Sequence, residues 1–301
     1  MERLYLNKLI PKNIGDIMII ETENLTKYYG KIRGIENLSF SIEKGEIFGF
    51  LGPNGAGKTT TIRTLLGFLK PTAGKAFIFG KDIEKEILEI KERTGYIPGE
   101  LNLYGSLTGN TFLDYFGKLR KNFDEKKLKE LLKIFEVPLD RKIKGYSRGM
   151  KQKLGIIQAF MHNPELVMMD EPTSGLDPLL QKKFYDFLRE EKKEGKTMFI
   201  SSHILTEVEK ISDRVGVIKE GNLIALENID TLKSKKGKVV KVKTKEKIKI
   251  RGIKMEEENG WTTFVVTKNV DGIIKKLAAY TIEDIEIGEL SLEEIFMHYY
   301  R

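Results

Sequence analysis

The sequence predicts an α/β fold built on a buried parallel sheet, with a smaller α+β unit behind it. Three observations carry this. Short continuous apolar runs, IFGFL (47–51), LVMMD (166–170) and TMFISS (197–202), read as strands buried on both faces. Segments of helical spacing lie between them, and strand–helix alternation is the order of a parallel sheet. Beyond about residue 230 the composition shifts to Lys, Glu and Ile, and the alternation stops.

Taken in order, residues 1–17 read as an N-terminal extension and Met18 opens a strand-like segment. Residues 19–51 alternate β-rich runs with turns. The helix GKTTTIRTLLGFLK follows, with Ile62, Leu65, Leu66 and Phe68 as its buried stripe and Pro71 closing it. Residues 100–163 are mainly helical; in DEKKLKELLKIFEV an apolar stripe joins Leu128, Leu131, Leu132 and Phe135. A charged helix spans 178–194, a shorter one follows at 204–213, and RVGVIKEGNLIALEN reads as a hairpin. The second unit, 229–301, is expected to hold strands at 238–256 and 261–267 around the turn Asn259-Gly260. A helix at 270–279, a strand at 281–287 and a final helix from 291 complete it.

With 301 residues, 40% of them hydrophobic and 32% charged, the chain has the make-up of a globular protein of about two domains. No apolar run approaches the ~18–20 residues that cross a bilayer, so any membrane role is expected to be peripheral. The absence of cysteine excludes disulfides, thiolate zinc sites and cysteine nucleophiles. The net charge of +8 is concentrated at KSKKGKVVKVKTKEKIKIR. There Lys241, Lys243, Lys245, Lys247 and Lys249 alternate, and on a strand they would share one face. Such a face suits a solvated edge strand or, alternatively, a stripe for anionic lipid or nucleic acid.

The chemistry lies elsewhere. GPNGAGKT places Gly52, Pro53, Asn54, Gly55, Ala56, Gly57, Lys58 and Thr59 between a buried strand and a helix, with Thr60 next. That is a phosphate-binding P-loop: backbone N–H groups curl inward, Lys58 reaches the β and γ phosphates, and the Thr59 hydroxyl can ligate Mg²⁺. Asp170 and Glu171 end a second buried strand at the carboxyl end, where parallel sheets place their ligands. Asp170 suits Mg²⁺ and Glu171 suits polarising the attacking water.

With these motifs and their spacing, residues 18–228 resemble the ATPase domain of an ATP-binding-cassette (ABC) transporter. The resemblance implies a P-loop core with an antiparallel β subdomain and an α-helical subdomain, and it implies ATP and Mg²⁺ as cofactors. Tyr29 in LTKYYG matches the aromatic that stacks on adenine, and His203 matches the switch histidine sensing the γ-phosphate. DEPTSGLD matches the Walker B motif running into the D-loop, formed here by Ser174, Gly175, Leu176 and Asp177. YSRGM falls where the family has LSGGQ, so Ser147, Arg148, Gly149 and Met150 would cap ATP held by a second, head-to-tail subunit. One P-loop per chain then implies a homodimer or a paralogous partner.

Two positions depart from the pattern. Arg148 replaces the first signature glycine, and Gly99 stands at the usual Q-loop glutamine, leaving Glu100 as a substitute metal ligand. GYIPGE, the signature and the terminal unit resemble exporter ATPases whose multi-spanning permease is a separate chain. The expected location is therefore the cytoplasmic face of the cell membrane, with residues 100–119 contacting the permease. The alternative is a soluble ABC ATPase acting on nucleic acid or ribosomes. Against it stand a Gly52-to-Ser147 stretch too short for a long coiled coil, the missing cysteines and the single cassette; nucleic acid is not an expected partner.

Overall fold

The computed structural model describes residues 17–289 except 122, 235–236, 251–252, 254 and 267–268. Nearly all of the expected N-terminal extension and the whole expected final helix lie outside the described residues. The chain divides into two compact units, one up to Glu227 and one from Asn228.

In the first unit, β1 (Met18–Tyr29) and β2 (Ile32–Glu43) pair antiparallel, and β4 (Ala73–Ile78) and β5 (Lys81–Asp82) extend that sheet in the order β2-β1-β4-β5. The second sheet comprises β3 (Ile47–Leu51), β6 (Thr94–Ile97), β7 (Leu166–Asp170), β8 (Thr197–Ser202), β9 (Arg214–Lys219) and β10 (Asn222–Asn228), in the order β10-β9-β3-β8-β7-β6. From β9 to β6 its pairings are parallel. Every residue of β3, β7 and β8 is buried, which is why these strands read as unbroken apolar runs.

Strand alternation divides the core between the two faces of this sheet. Leu166 and Met168 point into a cluster with Phe40, Phe48, Phe50 and Phe199, which joins the antiparallel sheet to the parallel one. The Phe40 and Phe48 rings stack at 5.6 Å, and Phe50 meets Phe199 at 5.3 Å. Val167 and Met169 point the other way, toward Phe135, Phe160, Phe184 and Phe187. That second cluster seats α3 (Gly109–Lys118), α4 (Glu125–Ile134), α5 (Arg148–Phe160) and α6 (Pro178–Lys193). Polar bonds fix the helices further. Glu191, 1% exposed, receives Lys127 Nζ at 2.5 Å and Lys196 Nζ at 2.8 Å, tying α4 to α6.

The helix after the P-loop, α1 (Lys58–Leu65), is shorter than its apolar stripe suggests. Gly67 takes a left-handed φ of 66° and turns the chain out, leaving Phe68 53% exposed rather than buried. Helices α2 (Ile87–Glu92) and α7 (Leu205–Ile211) complete the unit.

The second unit begins with α8 (Ile229–Ser234). Its sheet runs β12-β13-β11-β14, from β11 (Lys238–Lys243), β12 (Met255–Glu258), β13 (Trp261–Val266) and β14 (Asp284–Glu289). Asn259 and Gly260 both take positive φ, as the type I′ turn requires. Helix α9 (Val270–Leu277) contributes Ile273 and Leu277 to a core with Val240, Val242 and Phe264. The expected long strand from 238 to 256 is broken. The Thr244 hydroxyl donates to the Thr281 carbonyl and accepts from the Glu246 N–H, ending β11 at Lys243. Only Lys241 and Lys243 of the alternating lysines therefore lie on a strand, and that strand is internal rather than an edge. In register, Lys241 faces Glu286 and Lys243 faces Asp284 across β14, so acids accompany both lysines.

Candidate active site

Strand β3 delivers the chain to the P-loop at the carboxyl end of the parallel sheet. A Cβ at Gly52 would lie 2.4 Å from the Ile218 carbonyl oxygen, and one at Gly57 would lie 2.7 Å from that of Gly34. Only glycine fits either place, and Gly57 also holds a φ of 112° as it opens α1. Pro53, Asn54 and Gly55 form the exposed rim of the loop, while Ala56 is buried beneath it. Lys58 is buried, its Nζ bonded to the carbonyls of Gly52 at 2.7 Å and Pro53 at 3.1 Å. That ammonium is held at the centre of the loop, an arrangement suited to a phosphate.

The parallel pairing of β7 with β8 brings the acidic residues alongside. Asp170, 3% exposed, accepts Thr59 Oγ1 on Oδ2 at 2.7 Å and Ser201 Oγ on Oδ1 at 2.5 Å. Sequence reasoning missed Ser201; its signal was the polar end of an otherwise apolar strand, in register with Asp170. Glu171 follows with a left-handed φ of 47°, its N–H bonded to the Ser201 carbonyl at 3.1 Å. One carboxylate oxygen, Oε1, lies 3.3 Å from Lys58 Nζ and 3.1 Å from His203 Nδ1. Glu207 was also missed. It accepts from Thr173 and Ser202, tying the segment just after Glu171 to the residue just before His203.

Tyr29 is 45% exposed, and its hydroxyl sits 3.3 Å from that of Thr60 at the start of α1. Gly34 makes room for the ring, since a Cβ there would approach Tyr29 Cε2 to 2.9 Å. Tyr28 is occupied elsewhere, donating to Glu36 at 2.8 Å. An aromatic face is thus presented beside the P-loop only by Tyr29 of the pair.

The signature residues stand at the start of α5. Ser147 is the cap, its Oγ accepting from the Met150 N–H at 3.2 Å, and among the described residues its own hydroxyl hydrogen meets no acceptor. Met150 packs on the helical core, so its side chain is structural. In the D-loop, Leu176 is buried and Asp177 caps α6 through the Leu180 N–H at 2.9 Å, whereas Ser174 and Gly175 lie toward the surface. Gly99 borders Asp170 with bare backbone, a Cβ there falling 3.4 Å from Oδ2. Glu100 is exposed in a cleft of about 460 Å³ shared with Arg148, Lys151, Gln152 and Ser174. Among the described residues no hydrogen bond or ion pair joins it to Thr59 or Asp170.

Residues 35–174 match the model of the ABC transporter family. The bacitracin transport ATP-binding protein BcrA of Bacillus licheniformis is 38% identical over 297 residues, covering 93% of this chain and 96% of the relative. The chain belongs to the ATP-binding subunits of ABC transporters. The linearmycin resistance ATP-binding protein LnrL of Bacillus subtilis (strain 168) is 39% identical, covering 69% of this chain and 68% of its own. A solved ATP-binding subunit of an ABC transporter superposes with a TM-score of 0.67 at 29% identity, covering 71% of this chain and 92% of that one. As a member of this family the protein is an ATPase that binds ATP. These relatives favour a transport subunit over a soluble ABC ATPase working on nucleic acid or ribosomes.

Proposed function

We propose that this chain drives export through a separate membrane permease, hydrolysing ATP at a head-to-tail interface between two ATPase subunits. The observation that carries the reading is Glu171, held one residue beyond Asp170 with Lys58 and His203 against the same carboxylate oxygen. Lys58 and the P-loop N–H groups hold the β and γ phosphates, and Tyr29 stacks on the adenine. Glu171 accepts a proton from the water that attacks the γ-phosphorus, and His203 orients Glu171 and contacts the γ-phosphate. Thr59 and Asp170 offer hard oxygen donors held together by their own hydrogen bond, a set that fits Mg²⁺. Bound there, Mg²⁺ would neutralise phosphate charge. Glu100 is a further metal ligand only if the Q-loop moves, because its cleft lies beside the signature.

Ser147, the Gly149 N–H and the start of α5 would complete the ATP site of the facing subunit, a homodimer partner or a paralogue. No helix among the described residues is long and apolar enough to cross a membrane, in keeping with a peripheral subunit at the cytoplasmic face. Tyr104, Tyr115 and Leu119, all more than half exposed, are the anchors we assign to the permease, whereas Phe112 and Leu113 of the same segment are core. The test is Glu171→Gln with Mg-ATP. Binding should persist while turnover falls about 10²-fold or more. A tagged Glu171→Gln protein should then retain a multi-spanning membrane protein after gentle solubilisation; co-purifying ribosomes or DNA instead would overturn the reading.

A further inference from the structure

We propose that Arg148 is a positioning residue that locks the signature turn to the D-loop, so that both segments offered to the neighbouring subunit move as one piece. The inference rests on the head-to-tail reading above. A glycine at this place would present only backbone, so the guanidinium needs a purpose, and its contacts supply one.

Arg148 Nη2 donates to Ser174 Oγ at 2.6 Å. The rest of the side chain lies over Gly175, where a Cβ would meet Arg148 Nε at 2.5 Å and Cδ at 2.7 Å. Gly175 thus leaves the space that Arg148 fills, and its φ of 82° presents that bare face. One helical turn further, buried Gln152 donates from Nε2 to the Pro172 carbonyl at 2.7 Å. Positions 148 and 152 are i and i+4 on α5, so two rungs on one helix face grip the segment that follows Glu171. The inner rung is buried and structural. The outer rung is exposed, joins the two outward-facing pieces, and is the one that the substitution of glycine by arginine adds. The side chain is therefore directed to its own subunit's D-loop rather than toward a phosphate.

An exposed charge-assisted bond adds little to global stability, so its effect should appear in assembly. The measurement is ATP-driven dimerisation in the Glu171→Gln background by analytical ultracentrifugation, with steady-state kcat and KM in the otherwise native protein. Arg148→Ala and Ser174→Ala should each weaken dimerisation about 3- to 10-fold and lower kcat, and the double variant should be no worse than either single one. Arg148→Lys should recover part of the loss. Fluorescent-nucleotide binding to the dilute monomer should stay within about twofold, which a general structural defect would not allow. Additive losses, or a silent Ser174→Ala beside a salt-sensitive rise in KM for Arg148→Ala, would overturn the lock and place the guanidinium on phosphate. If Arg148→Ala fails to fold, the isosteric Ser174→Ala decides alone: unchanged dimerisation refutes the proposal. Absence of ATP-driven dimerisation in the parent protein would instead refute the head-to-tail reading.

Discussion

The P-loop edge and the signature edge of this ATPase are built in opposite ways. Around Lys58 and Asp170 the side chains are buried and each carries two or more bonds, all within one subunit. Around Ser147 and Ser174 the polar groups lie toward the surface, and each side chain has one hydrogen bond among the described residues, Ser147 to its own helix start and Ser174 to Arg148. The first edge is organised by bonds within the subunit; in the proposed dimer the second would offer its donors to another molecule. On the head-to-tail reading proposed above, the contrast teaches that half of the catalytic machinery is finished by folding and the other half by association.

The comparison is best broken at its catalytic end. Glu171→Gln should cost about 10²-fold or more in turnover with ATP binding retained, measured by phosphate release and equilibrium binding. On the outward edge, Ser147→Arg should weaken ATP-dependent dimerisation by about 10²-fold while monomer binding holds, because it buries an unpaired charge in the interface. Equal loss of both would erase the distinction between the edges.

A site remote from both provides a control. His162 is 3% exposed, and burial, reinforced by the charge of Arg120, lowers its pKa to about 4. Well above pH 6.5 the imidazole is neutral folded and unfolded alike. As pH falls below 6.5 the unfolded chain protonates first, so this contribution to stability declines until about pH 4 and then levels. Between pH 6.5 and 5 the loss should be about 1.5 kcal/mol, read by denaturant titration, and His162→Leu should flatten that slope. The smallest effect is expected at Ser201→Ala, about 1 kcal/mol in Mg-ATP affinity, because Asp170 loses one donor but keeps Thr59. An affinity loss of about 10²-fold instead would show the inner edge to be less redundant than its bonds suggest.

Much of this was legible in the sequence for a physical reason: strands buried on both faces, a glycine-rich loop and a serine cap impose local patterns. The parallel core, the P-loop geometry around Gly57 and the cap at Ser147 follow from such patterns. The remainder depended on contacts distant in sequence. Ser201 serves Asp170 only because β8 lies in register beside β7. The direction of Arg148 is set by the bare backbone of Gly175, 27 positions away. Phe68 continued a helical stripe that Gly67 cut short, and the lysine alternation continued past a strand that Thr244 ended. In both cases periodicity outlasted the element, since a side chain's spacing does not record where the backbone turns.

Glu171 carries one more consequence through its φ of 47°, a conformation costly for a residue with a side chain, of order 1–3 kcal/mol. Glycine or asparagine would rest there more comfortably, yet neither supplies the carboxylate. With Glu171 as the proposed base, selection for robustness alone would drift toward an inert protein at this position, and only continued demand for turnover would hold the glutamate in place. A variant library sorted for heat resistance and one sorted for ATPase activity should part company first at residue 171.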